Sequence, residues 1–387
     1  MHETFRLGRI AGIRVGVHWS VLVIFLIIAV GLSEGRLPEA HPDRPDWQYW
    51  LVGILTALVF FGSLLAHEVA HVVVARRNDM EADSITLWLL GGAARLKDEA
   101  PSPGAELRVA GVGPLVSLVL GIVFAALAAV LAALGLSGLP VEAAAWLAGI
   151  NVLLAVFNAL PAAPLDGGRL LRAFVWWRTG NRLRATSVAT AAGRVLGWAL
   201  VVLGLYEVLL GGLGGLWLAL IGWFLIAAAT VEGGQAQTKE TLNRVSVRQA
   251  MTPDPVSARA GLTLAELLQD PAFRYRHSAF PVMSEDDATP VGLVTVHRAQ
   301  EIAERDGTDA TVADAMFPLD EVVTTGPDDP LGGLLLKLES SPARRALVIE
   351  EGRLVGIVSS SDINRVLAWL TSTPWNSGLG QRRGHPT

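Results

Sequence analysis

The chain has 387 residues, of which 51% are hydrophobic and only 17% charged, against about 25% charged in an ordinary soluble protein. Its net charge of −5 offers no basic excess for nucleic acid. With no cysteine it has no disulfides, thiolate metal sites or cysteine nucleophile, so any metal must be held by His, Asp, Glu or other oxygen donors.

The shortage of charge is confined to the first part of the chain. Residues 1–231 are a succession of apolar runs. Residues 232–244 are polar, and the remainder is charged and punctuated by proline. This pattern predicts a multipass α-helical membrane domain over 1–231, a linker over 232–244 and a soluble α/β domain after it. Six runs approach the roughly 20 apolar residues that cross a bilayer: about 15–32, 50–75, 109–136, 143–160, 188–210 and 213–230. The first is too long for a signal-peptide core and has no small-residue cleavage site after it, so it is expected to stay as a span.

Lys and Arg set the expected orientation. Arg6, Arg9 and Arg14 precede the first run; Arg76, Arg77, Arg95, Lys97 and Arg108 lie between the second and third; Arg169, Arg172, Arg178, Arg182 and Arg184 follow the fourth. The alternate loops hold Arg36 and Arg44. The N-terminus, the two basic loops and the C-terminal domain are therefore expected in the cytoplasm, in a multipass protein of the plasma membrane.

The second run contains "SLLAHEVAHVVVARR" (63–77). His67 and His71 are four residues apart and share one helix face, and Glu68 stands beside them to take a proton from water. A catalytic zinc takes three protein ligands and keeps one position open. The candidate third ligand is Asp166, in "NALPAAPLDGGRLLRA". Pro161 and Pro164 interrupt the helix there, and Gly167 and Gly168 allow a tight turn beside the carboxylate. Irregular backbone at membrane depth is tolerated where it is buried in protein or lines a cavity. The expected orientation returns Asp166 to the same side as His71, placing the site in the membrane near the cytoplasmic face. The alternative for Asp166 is helix capping or pore lining without metal. Gly111, Gly113 and Pro114 read as residues for close helix packing.

Four stretches together resemble the site-2 protease family of intramembrane zinc metalloproteases: "HEVAH" (67–71), "LLGGAARL" (89–96), "AGVGPLVS" (110–117) and "NALPAAPLDGGR" (158–169). The resemblance implies one zinc per chain held by His67, His71 and Asp166, with Glu68 as general base. It also implies that Asn158 assists substrate or oxyanion binding; a plain interhelical hydrogen bond is the other reading of that residue. The family cuts transmembrane segments of membrane-tethered proteins, often single-span regulators such as anti-sigma factors. A substrate helix must unwind before its backbone can be attacked. "ITLWLLGGAARL" (85–96) is accordingly expected to form a membrane-dipping hairpin that pairs with the unwound segment.

Beyond residue 244 the sequence repeats itself weakly. Copies at 245–305 and 306–370 each read as helix, short strand, helix, strand, strand, helix, and 371–387 is expected to be a flexible tail. The repeat resembles a pair of cystathionine-β-synthase (CBS) domains. The resemblance implies adenine nucleotide (ATP, ADP or AMP) in the clefts between copies and a homodimer formed through these domains. The signature Gly-h-x-Ser/Thr-x-x-Asp stands in the second copy as "GIVSSSD", with Ser359 and Asp362 as the expected nucleotide-binding residues. The first copy reads "GLVTVHR", with Arg298 where the acid is expected. A structural or dimerising module is the other reading.

The sequence thus points to an intramembrane zinc endopeptidase with a cytoplasmic CBS pair. The alternatives are a nucleotide-gated transporter or channel, and an inactive scaffold. A full metal triad with an adjacent base argues against both.

Overall fold

The computed structural model describes residues 4–10, 13–80, 82–88, 91–96, 100–212, 214–271, 273, 277–286, 289–307 and 309–372. The tail expected over 371–387 lies outside the described residues from 373 onward, as do residues 89–90 of the expected hairpin. The chain divides into two compact units, Met1–Gly234 and Gln235–Thr387.

The first unit opens with two short strands, β1 (Phe5–Ile10) and β2 (Ile13–Val17), before any helix. The first apolar run therefore starts as strand: Val15, Gly16 and Val17 pair in parallel with Ile85, Thr86 and Leu87. Hydropathy alone cannot separate these residues from the helix that follows. That helix, α1 (Ser20–Val30), continues through a π-helical turn at Gly31–Arg36 into α2 (Leu37–Ala40).

α3 (Asp46–Arg76) comes next, then the antiparallel hairpin β3 (Ala82–Trp88) and β4 (Gly91–Leu96), which corresponds to the expected one. The sheet order is β1-β2-β3-β4, so β4 lies at an edge. Four long helices and a shorter one complete the unit: α4 (Pro103–Ala133), α5 (Leu139–Ala159), α6 (Asp166–Thr179), α7 (Arg182–Leu209) and α8 (Gly214–Asn243).

Among the described residues six spans are long and apolar enough to cross a membrane: Ser20–Ala40, α3, α4, α5, α7 and α8. Their outward side chains, among them Leu26, Leu55, Ile122, Leu153 and Val202, are exposed and apolar, as lipid contact requires. Caps set the ends. The Ser102 hydroxyl accepts from the Ala105 N–H at 3.2 Å, with Pro103 in the first turn of α4. Gly180 (φ +66°) closes α6, and the Asn181 side chain accepts from the Arg184 N–H at 2.8 Å to open α7.

α8 continues to Asn243, so the segment read as a linker is helical, and Leu242 is fully buried in the core of the second unit. There the elements run α9 (Val247–Ala250), β5 (Thr252–Pro253), β6 (Ala258–Arg259), α10 (Leu264–Gln269), β7 (Ala279–Met283), β8 (Pro290–Thr295) and α11 (Val296–Asp306). The second copy follows with α12 (Val312–Ala315), β9 (Phe317–Pro318), β10 (Val323–Thr325), α13 (Gly332–Ser340), β11 (Arg345–Glu350), β12 (Arg353–Ser359) and α14 (Ser360–Ser372).

The copies exchange their first strands. One sheet has the order β10-β11-β12-β5 and the other β6-β7-β8-β9. The cores follow suit: Val247 packs with Leu331, Val348 and Ile363, whereas Val312 and Ala315 pack with Phe280 and Val294. The sequence repeat is thus a genuine structural repeat, but each packed half draws on both copies.

Candidate metal centre

α3 and α4 meet along facing stripes four residues apart. α3 presents His67, His71 and Ala75; α4 presents Ser117, Gly113 and Val109. All six are buried, and apart from Gly113 none is more than 7% exposed. The imidazoles point inward because α4 holds their far sides. His71 Nδ1 lies 2.7 Å from the Val109 carbonyl oxygen, and His67 Nδ1 lies 2.9 Å from the Ser117 hydroxyl. The Val109 carbonyl can only accept, so His71 donates from Nδ1 and keeps the lone pair on Nε2.

The two Nε2 atoms are 3.1 Å apart. Asp166 Oδ2 lies 3.2 Å from His67 Nε2 and 3.1 Å from His71 Nε2. Tetrahedral zinc with bonds near 2.05 Å would set its ligand atoms about 3.4 Å apart. Three donors therefore converge at a spacing that fits zinc, one carboxylate and two imidazoles, the donor set of a catalytic site with an open position.

Asp166 is carried there by the break that its prolines cause. α5 ends at Ala159 and α6 begins at Asp166, leaving Leu160–Leu165 irregular. This loop is pinned to α7: the Ala163 N–H donates to the Ala189 carbonyl at 3.1 Å, and a Cβ at Gly193 would stand 2.0 Å from the Ala163 oxygen. Gly167 and Gly168 have a different role from the expected turn. Both lie in the first turn of α6, where a Cβ would meet the Leu160 oxygen at 2.1 Å and the Ala163 nitrogen at 2.4 Å respectively. They let the helix carrying the carboxylate pack directly on backbone.

Glu68 follows His67 on α3 and is half-buried. Asn158 is not drawn into the triad. It is half-buried near the end of α5, and its Nδ2 donates to the Leu154 carbonyl at 3.1 Å within its own helix. In the second unit, Ser359 and Asp362 bond to one another. Asp362 Oδ2 accepts from the Ser359 N–H at 2.9 Å, and the Ser359 hydroxyl accepts from the Asp362 N–H at 3.2 Å, a reciprocal cap on α14. Arg365 pairs with Asp362 Oδ1 at 3.1 Å.

Three positions that pack on or brace the candidate site escaped the sequence reading. Gly113, read as a packing residue, faces the metal-binding atoms: a Cβ there would lie 2.2 Å from His71 Nε2 and 2.6 Å from His67 Nε2. Ser117 is fully buried against His67. The third is Arg172 on α6, paired with the wholly buried Glu106 of α4 and, at 3.3 Å, with Glu232 of α8. It ties the helix bearing Asp166 to the helix that orients both histidines. A signal for Ser117 and Gly113 was present in their four-residue spacing, which matches that of the histidines.

Comparison with known proteins bears on both units. The model of peptidase family M50 matches residues 55–139 and 136–203, and that of the CBS domain matches 247–301 and 312–368. Rip3 of Mycobacterium tuberculosis is 43% identical over 369 residues, covering 95% of this chain and 93% of its own. The zinc metalloprotease MJ0392 of Methanocaldococcus jannaschii is 28% identical over 371 residues, covering 96% of this chain and 98% of its own. A solved site-2 protease from M. jannaschii is 28% identical, with a TM-score of 0.42 over 59% of this chain and 94% of that one. The chain belongs to peptidase family M50, the site-2 protease family of membrane-embedded zinc metalloproteases, in a form that carries two CBS domains.

Proposed function

We propose that the protein hydrolyses peptide bonds inside transmembrane segments of membrane-tethered regulatory proteins, single-span anti-sigma factors being the type of substrate expected. The observation that carries this reading is the convergence of His67, His71 and Asp166 within 3.1–3.2 Å of one another, the histidines on α3, which is long and apolar enough to span a membrane, and the carboxylate at the start of the shorter α6. One zinc per chain is the proposed complement of these three side chains. When bound, zinc supplies Lewis-acid polarisation of the scissile carbonyl and lowers the pKa of a coordinated water to about 7.

The chain's own residues do the rest. Glu68 takes a proton from the attacking water, and the water oxygen bonds to the carbonyl carbon. Glu68 then gives that proton to the leaving amide nitrogen as the C–N bond breaks, and the new carboxylic acid passes the water's second proton to the amine, yielding a carboxylate and an ammonium. Val109 holds the His71 imidazole in one tautomer, and Ser117 orients that of His67. Asn158, the last residue but one of α5, is the proposed donor to the substrate carbonyl. The edge of β4 is the proposed place where an unwound substrate adds as a further strand.

The basic loops support a cytoplasmic N-terminus and C-terminal domain in the plasma membrane, with the site near the cytoplasmic face. The CBS pair is proposed to bind adenine nucleotide through Ser359 and Asp362 and to join two chains. Nucleotide binding there requires Asp362 to exchange its bond to Arg365 for one to ribose.

The test uses purified protein in detergent with a single-span substrate. Wild type should hold about one zinc and cut; Glu68→Gln should keep zinc and lose cleavage; Asp166→Ala should lose zinc. Cleavage surviving in Glu68→Gln, or zinc surviving unchanged in Asp166→Ala, overturns the assigned roles.

A further inference from the structure

The two copies of the C-terminal repeat differ at one matched position, and the difference changes what a cleft can hold. In the second copy Asp362 closes its own helix reciprocally with Ser359. In the first copy Thr295 still caps α11, its hydroxyl accepting from the Arg298 N–H at 3.3 Å. Arg298 cannot return that bond, because a guanidinium has no acceptor. Its side chain instead lies over the Phe317 ring of the other copy, with Cζ 4.2 Å from the centroid. Nε of Arg298 is buried and has no hydrogen-bond partner.

This guanidinium lines a cleft of about 320 Å³ between the copies, together with Ser278, Thr295 and Arg345. Arg345 reaches in from the start of β11, its Nη2 donating to the Ser278 hydroxyl at 3.0 Å. Among the described residues neither Arg298 nor Arg345 makes an ion pair with a carboxylate. Glu301 also lines the cleft, and its Oε2 stands 3.5 Å from His297 Nδ1.

We propose that this cleft binds a phosphate-bearing anion by its phosphate group, and does not hold a nucleoside by its ribose. The Arg298 fork suits a tetrahedral oxyanion, Arg345 adds a second positive charge beside its bonds to the Arg344 carbonyl and the Ser278 hydroxyl, two hydroxyls supply further donors, and the N-terminus of α11 opens at Thr295. No carboxylate stands at the position of Asp362 to accept from a ribose diol. The volume is at the small end of ligand pockets, which begin near ~300 Å³, and suits a phosphate with a small substituent. The assignment is independent of the proposed role of Ser359 and Asp362.

Isothermal titration calorimetry of the full chain in detergent and phosphate-free buffer tests it, with inorganic phosphate, AMP and adenosine as probes. Phosphate should bind saturably, adenosine should not displace it, and Arg298→Gln or Arg345→Gln should weaken it at least about tenfold. Asp362→Asn should leave phosphate binding unchanged. Arg298→Lys keeps the charge but loses the fork, so it should weaken phosphate by an intermediate factor; with Arg345→Gln it decides the matter if Arg298→Gln does not fold. AMP weakened in parallel by Arg298→Gln identifies a nucleotide as a source of the phosphate. AMP left unaffected identifies free phosphate or a different ester. Absence of saturable phosphate binding, wild-type phosphate affinity in both Gln variants, or displacement of phosphate by adenosine overturns the proposal.

Discussion

Both units of this chain bury apolar side chains, but they differ in what they expose and in how many polar side chains they bury. In the repeat unit the interior is apolar, built from residues such as Phe280, Leu347 and Ile363, and its buried polar side chains are Ser341, Ser359 and Asp362 among the described residues. In the membrane unit Leu26, Leu55, Ile122 and Val202 face outward, while His67, His71, Glu106, Ser117 and Asn151 are buried. Water drives apolar groups inward in the first case. In the second, lipid accepts apolar groups on the outside, so the interior is where polar groups can find partners. The lesson concerns where to look for chemistry: a buried polar side chain is an exception in one unit and the organising element of the other.

The sharpest way to break this comparison is Gly113→Val. A side chain there displaces the imidazoles, so bound zinc should be lost and cleavage should fall by about 100-fold or more, read by metal analysis and substrate cleavage. Gly149→Ala, where the added Cβ meets nothing within 4 Å, should match wild type in both measurements. Next comes Arg172→Met, which leaves the Glu106 carboxylate buried without its partner and should cost about 3–5 kcal/mol in unfolding of the membrane unit. The double variant Glu106→Gln with Arg172→Met should recover much of that loss, and equal losses in single and double variants would argue against the pair.

Leu347→Ala should cost the repeat unit about 2–5 kcal/mol by denaturant unfolding while zinc content stays as in wild type. Smallest of all, Ile122→Ala removes a side chain that is 59% exposed and should change stability by less than about 0.5 kcal/mol. A cost at Ile122 as large as that at Leu347 would show the two surfaces to be built alike after all.

The metal triad was legible because its parts are written locally. His67 and His71 need only a helix, and Asp166 needs only a helix broken by Pro161 and Pro164. The six spans were legible because apolar composition over some thirty residues is a strong signal. What pairs at long range was not. The β1–β2 hairpin finds its partner at Ile85–Leu87, about seventy positions downstream of Val15–Val17, and nothing in its own residues names that partner. Gly113 and Ser117 acquire their roles only once α4 lies against α3, and a single helix does not state which of its faces meets which neighbour. The helical course of 232–243 was hidden by Gly233 and Gly234, which lower helix propensity but do not forbid a helix.

The strand exchange in the repeat unit also bears on how the chain is made. Pro253 of β5 pairs with Gly356 of β12, so the strand leaves the ribosome 103 positions before its partner. Until then α9 and β5 wait with an unsatisfied edge, while the sheet of the first copy is completed earlier, by β9 at Phe317–Pro318. Neither copy should be obtainable as a stable fragment cut at residue 305, and folding of the pair should report as one cooperative event completed only after β12 has emerged.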